Sequence, residues 1–201
     1  AVSVGGAFGI YQHLGLASGS TREISASSSK EEVVKIFFTS VFIRYLVTIP
    51  IAIFLFVSAE GIALGQYDNV ALILPIRLYS IALIIESVQS ILNSVISGTK
   101  RFKALLIYQA VIALVNISIY IPAVLLLRVD GYFYGMIVFN LIATTALTFI
   151  AFKPYKEYLA LPGKEDFVRL LKQLLSISLA IYAVKVLYTW WEKSGPILLG
   201  R

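Results

Sequence analysis

Residues 69–127 read NVALILPIRLYSIALIIESVQSILNSVISGTKRFKALLIYQAVIALVNISIYIPAVLLL. Two long apolar runs, 70–97 and 104–127, flank the basic turn GTKRFK at 98–103. Since about 20 helical residues span a bilayer, each run predicts one membrane helix. The two runs together predict a membrane hairpin whose basic turn lies at one surface.

The first helix of this hairpin carries polar side chains at three- and four-residue steps. They are Glu86, Gln89, Ser90, Asn93 and Ser97. This spacing puts them on one helical face. A polar group that faces lipid without a partner is costly, so the face must meet protein or water. The pattern predicts either a helix bundle around a polar cavity or a tightly packed hairpin.

The whole chain has a membrane composition, since 59% of its 201 residues are hydrophobic, against about 45–50% in soluble domains. The periodicity is helical, and no alternating strands of the outer-membrane type occur. We therefore predict an all-α, polytopic transmembrane helix bundle. Six spans are expected, at about 1–17, 36–59, 70–97, 104–127, 132–152 and 174–191.

The positive charges indicate the orientation of these spans. The connections at 18–35, 98–103 and 153–173 carry eleven of the 17 lysines and arginines, and the opposite connections carry three. By the positive-inside rule, the first set is cytoplasmic in a multi-pass protein of the plasma membrane. The remaining three cations lie within predicted spans.

Two breaks organise the chain. SSSKEE at 27–32 predicts a helix start, with a serine cap and acidic residues in the first turn. LPGKED at 161–166 is the clearest break and precedes an amphipathic stretch at 167–175, which we interpret as an interfacial helix on the cytoplasmic leaflet. The first apolar run begins partway through a helix, and the chain stops just after an apolar segment. We expect a fragment of a longer protein.

Four ionisable residues lie inside apolar spans, and such residues are functional candidates by default. Arg44 is roughly 13 Å deep from the cytoplasmic side, and Arg77 is about two turns from the outer end of its helix. Arg77 is near enough to the interface to snorkel, which is the alternative to a functional role. Glu86 and Lys185 both fall near the bilayer centre, where they could form a purely structural pair.

Later spans also carry polar faces. Gln109, Asn116 and Tyr120 lie along one side of the fourth span, and Asn140 and Thr144 are four residues apart in the fifth. Hydrogen bonding between helices explains such residues equally well. A shared hydrated cavity is the simplest joint explanation. Its candidate substrate-binding residues are Arg44, Arg77, Glu86, Gln89, Asn93, Asn116, Asn140 and Lys185.

The sequence offers little for catalysis. It has no cysteine and one histidine, and it lacks a Gly-rich phosphate loop, HExxH and GxSxG motifs. We expect no enzymatic activity, no catalytic residues, no metal, no cofactor and no nucleic-acid partner.

The order of the connecting motifs resembles one transporter family. GLASGSTREI at 15–24, SGTKRF at 97–102, DGYFYG at 130–135, and WWEK at 190–193 followed by ILLG at 197–200 carry the resemblance. They are similar to the ends of helices in the O-antigen and lipid-linked-oligosaccharide flippases of the multidrug/oligosaccharidyl-lipid/polysaccharide exporter superfamily. The resemblance covers nearly the whole chain.

The resemblance implies that the six spans are helices two to seven of a two-lobed protein. Residues 1–160 would then form most of the first lobe, 161–173 the cytoplasmic linker, and 174–201 the first helix of the second lobe. It further implies alternating access for a polyprenyl- or dolichyl-pyrophosphate-linked sugar. A coupling cation, H⁺ or Na⁺, is a possible further partner, with Glu86 as its candidate proton site. A cationic cavity suits a pyrophosphate, and Arg44, Arg77 and Lys185 are the candidates by position.

Three other functions stay open at this point. A drug or cation antiporter of the same superfamily would use acidic cavity residues, of which Glu86 is the central one. A membrane-embedded glycan-assembly enzyme would need catalytic carboxylates in a sizeable loop. A structural membrane subunit would use the polar stripes as packing contacts only.

Overall fold

The computed structural model describes residues 15–199, with side chains as far as Val184. This part of the chain is α-helical and contains no β-strand, which confirms the predicted all-α bundle. The α-helices are α1 (Leu16–Ala26), α2 (Lys30–Val57), α3 (Ala59–Tyr67), α4 (Ile73–Gly98), α5 (Phe102–Phe152) and α6 (Lys164–Leu199). Two 3₁₀ helices, Val70–Leu72 and Lys153–Tyr158, precede α4 and follow α5.

Four helical segments of the described residues are long and apolar enough to cross a membrane. They are Lys30–Val57, Val70–Gly98, Phe102–Tyr158 and Lys164–Val184. They overlap the second to sixth predicted spans, although they end before residue 59 of the second and before residue 191 of the sixth. The first predicted span lies almost entirely outside the described residues. Large apolar side chains on their outer surfaces, such as Leu125 and Leu126, are exposed and suit contact with lipid.

Helix α2 begins where the serine and acidic residues predict. The Ser29 side chain accepts a hydrogen bond of 3.2 Å from the Glu32 backbone N–H. Glu31 and Glu32 lie in the first turn, where the positive end of the helix dipole favours carboxylates. Local capping chemistry therefore fixes where the chain turns into the second predicted span.

Helix α5 folds back on itself at Arg128, whose backbone has φ 53° and ψ −126°. We call residues 102–127 its first limb and residues 129–152 its second limb. The Tyr108 hydroxyl donates to the Ala143 carbonyl at 3.2 Å, and Arg101 Nη1 donates to the Ala151 carbonyl at 3.2 Å. These contacts make the limbs antiparallel, which confirms the reversal predicted between the fourth and fifth spans.

Two connections are more helical than predicted. Within the predicted loop at 18–35, α1 continues to Ala26, because the Ser20 and Thr21 hydroxyls donate to carbonyls four residues back and are thereby satisfied inside a helix. The loop expected at 60–69 contains α3, whose Ala59 and Ala63 are buried in a cluster with Ile76. Burial of this small apolar face outweighs the two glycines of the segment.

The amphipathic stretch at 167–175 and the sixth predicted span form one helix, α6, rather than two segments. No glycine or proline interrupts residues 164–194, so nothing in the sequence ends the helix between them. Leu170 and Leu174 of α6 are buried in the main core together with Leu16 of α1 and Val34 of α2. This part of α6 therefore packs directly on the preceding helices.

Candidate functional site

Arg44 and Glu86 lie within electrostatic range of each other, on the neighbouring helices α2 and α4. Arg44 lies near the middle of α2 and its residue is only 4% exposed. Glu86 lies near the middle of α4, and the two charges are close enough to interact. The structure therefore brings two of the predicted site residues together at mid-depth. Lys185, the alternative partner for Glu86, lies outside the residues whose side chains are described.

The Glu86 side chain is exposed although it is at the middle of a membrane-spanning helix. A carboxylate at this depth is costly in contact with hydrocarbon, so its surface must face water, other protein segments or a ligand. Hence the exposed side of α4 around Glu86 is a candidate functional surface.

A group of three tyrosines lies near this carboxylate. Tyr79 and Tyr120 both lie within range of the Glu86 charge, and Tyr132 neighbours both of them. The Tyr120 and Tyr132 rings are 5.2 Å apart between centroids. Tyr79 and Tyr132 were not among the predicted site residues. The signal for Tyr79 was its position seven residues before Glu86, which puts it on the same helical face.

Asn116 lines a pocket beside these tyrosines. The pocket has a volume of about 350 Å³ and is lined by Asn116, Tyr120, Val124 and Tyr132. Its first three residues are four apart along the first limb of α5, and Tyr132 follows the reversal at Arg128. Asn116 and Tyr120, two of the three polar residues predicted along one side of the fourth span, therefore line this pocket.

Gln89 and Asn140 are brought together, but as a contact between helices. Gln89 Nε2 donates to Asn140 Oδ1 at 3.0 Å and to Thr144 Oγ1 at 2.9 Å. Asn140 is 5% exposed, so this hydrogen-bonded group is closed between α4 and the second limb of α5. For these residues the structure favours the packing alternative over cavity lining.

Arg77 and Asn93 of α4 belong neither to the Arg44–Glu86 group nor to the Gln89–Asn140 hydrogen bonds. The Arg77 guanidinium lies over the Phe56 ring at 5.6 Å from its centroid, a cation–π contact near the ends of α2 and α4. Its Nε is buried without a hydrogen-bond partner among the described residues, as is Asn93 Oδ1. Arg77 is nine residues from Glu86, which puts the two side chains on opposite faces of the helix.

A second polar group joins the helices at their predicted cytoplasmic ends. Lys35 Nζ contacts Asp166 Oδ2 at 2.7 Å, and Arg169 Nη2 contacts Asp166 Oδ1 at 3.3 Å. Gln173 of α6 donates to the Glu23 carboxylate of α1. The sequence alone does not predict the Lys35–Asp166 and Glu23–Gln173 contacts, because each joins residues more than 130 positions apart.

Comparison with known proteins identifies the family. The sequence matches the family described as polysaccharide biosynthesis protein over residues 17–201, which confirms the resemblance seen in the connecting motifs. No curated protein and no solved structure matches the chain. The match covers the described helices from the second residue of α1 onward, including Arg44, Glu86 and the tyrosines near Glu86. The chain belongs to the polysaccharide biosynthesis protein family.

Proposed function

We propose that the chain acts in a membrane transporter that flips lipid-pyrophosphate-linked sugars across the cytoplasmic membrane by alternating access, for polysaccharide or glycan assembly. Family membership and the apolar helices long enough to cross a bilayer support this proposal. The carrier lipid would be a polyprenol or dolichol. The connections at 18–35, 98–103 and 153–173 would face the cytoplasm.

One observation carries the proposal: a buried arginine at the middle of a membrane helix, within electrostatic range of Glu86. A guanidinium binds phosphate through paired, charge-assisted hydrogen bonds. A diphosphate that reached this depth would be a stronger partner for Arg44 than one carboxylate, because it offers more charge and more acceptor oxygens. In this proposal, Arg44 holds the pyrophosphate while the lipid tail stays in the membrane.

The test is flipping of a fluorescent polyprenyl-pyrophosphate sugar by the full-length protein in vesicles. Arg44→Gln keeps the side chain polar but removes the charge, and it is expected to lower the flipping rate about tenfold or more. Arg77→Gln tests the second cation in the same assay. Lys100→Ala, in the exposed basic turn, is the matched control and should leave the rate unchanged. Normal flipping by both arginine variants would contradict the proposed phosphate site.

Coupling to a cation is a separate part of the proposal. Glu86 is an exposed carboxylate at mid-membrane depth, which is the kind of group that carries a proton in coupled transport. Glu86→Gln should remove the dependence of flipping on a pH gradient. A wild-type rate that does not respond to either a proton or a sodium gradient would exclude this role.

The hydrogen bonds between Gln89, Asn140 and Thr144 favour a second candidate, a structural membrane subunit. Because the chain has no cysteine, single cysteines can be labelled without background. For a transporter we expect labelling from water at positions 86 and 116 and protection at 144. Protection at 86, 93, 116 and 144 would favour the structural subunit.

A further inference from the structure

The pocket on the hairpin combines aromatic faces with polar edges. Tyr120 and Tyr132 approach with ring planes 48° apart and centroids 5.2 Å apart, and Asn116 lies one helical turn before Tyr120. Tyr120 also packs on the buried cluster of Leu78, Ala82, Phe133 and Met136, which holds its ring in place. The pocket is therefore built on a packed part of the bundle rather than on a loose surface.

The charge beside the pocket restricts what it binds. Glu86 lies within electrostatic range of Tyr120, so a group that donates hydrogen bonds is favoured at this edge of the pocket. A lipid tail cannot form hydrogen bonds with an amide or a carboxylate. A sugar ring fits both features, because its C–H face packs on aromatic rings while its hydroxyls donate to amide and carboxylate oxygens.

The size and depth of the pocket agree with this chemistry. Its volume of about 350 Å³ is near the lower end of ligand sites, which span roughly 300–1,000 Å³, so it suits one ring rather than an oligosaccharide. Tyr120 is roughly 27 Å along α5 from Phe102, in the outer half of the hairpin. Arg44 lies at mid-depth. Phosphate and sugar would thus bind at different levels of the protein.

We propose that Asn116, Tyr120 and Tyr132 form a subsite for one sugar ring of the lipid-linked substrate, with Glu86 as a hydroxyl acceptor at its edge. The inference rests on the proposed flippase function and adds to it the residues that recognise the sugar. Tyr132 is the specificity-determining contact, because it lies on the exposed side of the pocket.

The experiment measures binding to the full-length protein in nanodiscs with two kinds of probe. One is bare polyprenyl pyrophosphate, and the other is the same lipid carrying glucose, galactose or N-acetylglucosamine. Tyr132→Ala should weaken binding of the preferred sugar-bearing probe about tenfold and leave the bare probe unchanged. Tyr132→Phe should retain most of the preference because it keeps the ring. Tyr134→Ala, an exposed tyrosine two residues away on the other face, is the matched control.

The outcomes separate the two proposals. If the wild-type protein binds the bare probe but prefers no sugar-bearing one, or if Tyr132→Ala weakens both probes equally, the subsite is wrong and the phosphate site stands. If neither kind of probe binds the wild-type protein, the flippase function is wrong and the subsite with it. An Asn116→Ala variant, which changes no packed ring, repeats the test without risk to the hairpin.

Discussion

Lys35 Nζ lies 2.7 Å from Asp166 Oδ2, and this ion pair joins the second turn of α2 to the first turn of α6. Both side chains are about one-third exposed, at 30% and 34%. Near it, the Phe42 and Phe167 rings pack edge to face at 5.1 Å. The pair therefore marks where the helix after the Pro162 break docks on the preceding bundle.

Removing this ion pair should have a modest and repairable effect. Asp166→Ala is expected to lower the melting temperature only slightly, since exposed ion pairs contribute little to stability. The exchanged pair Lys35→Asp with Asp166→Lys should recover part of the loss. Thermal unfolding of the single and double variants in detergent measures both effects. A double variant less stable than both single variants would show that the charges do not act as a pair.

The reversal in α5 depends on Gly131. A Cβ atom at this position would lie 1.9 Å from the Ala123 carbonyl oxygen, so Gly131→Ala must push the two limbs apart. We expect a destabilisation of about 2 kcal/mol or more. Gly65→Ala is the matched control, because a Cβ there meets nothing within 4 Å and alanine favours the helix. Equal melting temperatures for Gly131→Ala and the wild type would contradict the close approach of the limbs.

The Gln89–Asn140 hydrogen bond should contribute to stability more than to transport. Gln89→Ala removes the donor to Asn140 and Thr144, and we expect a loss of about 0.6–1.7 kcal/mol, as for other polar contacts between membrane helices. A double-mutant cycle with Asn140→Ala isolates the pair. Additive effects in that cycle would show that the two side chains act independently. A large loss of flipping by Gln89→Ala at normal stability would instead indicate that Gln89 lines the transport cavity.

The contact of α1 with α6 requires small residues. Gly15 has φ +67°, and a Cβ there would lie 2.7 Å from the Ser178 carbonyl oxygen, while a Cβ on Gly19 would lie 2.8 Å from Ser178 Oγ. Gly15→Ala is therefore strained in both conformation and space, and should cost about 1–3 kcal/mol. Gly19→Ala should cost less, because the serine hydroxyl can rotate. Melting temperatures in the opposite order would contradict this packing.

Much of the fold was accessible from local sequence signals. The helix start at Ser29 and the reversal near Arg128 follow from capping residues and from the break between two apolar runs. For Arg44 and Glu86, the sequence predicted the residues but not their proximity. Each was a candidate because charges inside membrane spans are rare, but the sequence does not indicate which helices face each other. Tyr132 was not predicted as a site residue, because only the reversal of the chain at Arg128 brings its ring against Tyr120.

Because no loop separates the two limbs of α5 at Arg128, the distance between the limbs can serve as an internal reference. One residue reverses the chain, and Gly131 packs against Ala123. The two limbs therefore cannot move apart without breaking this contact. Spin labels on lipid-facing positions such as Leu114 and Leu141, one on each limb, should keep a constant distance in every state of the protein. Distances from either label to another helix would then report rigid-body motion of the whole hairpin, free of any change within it.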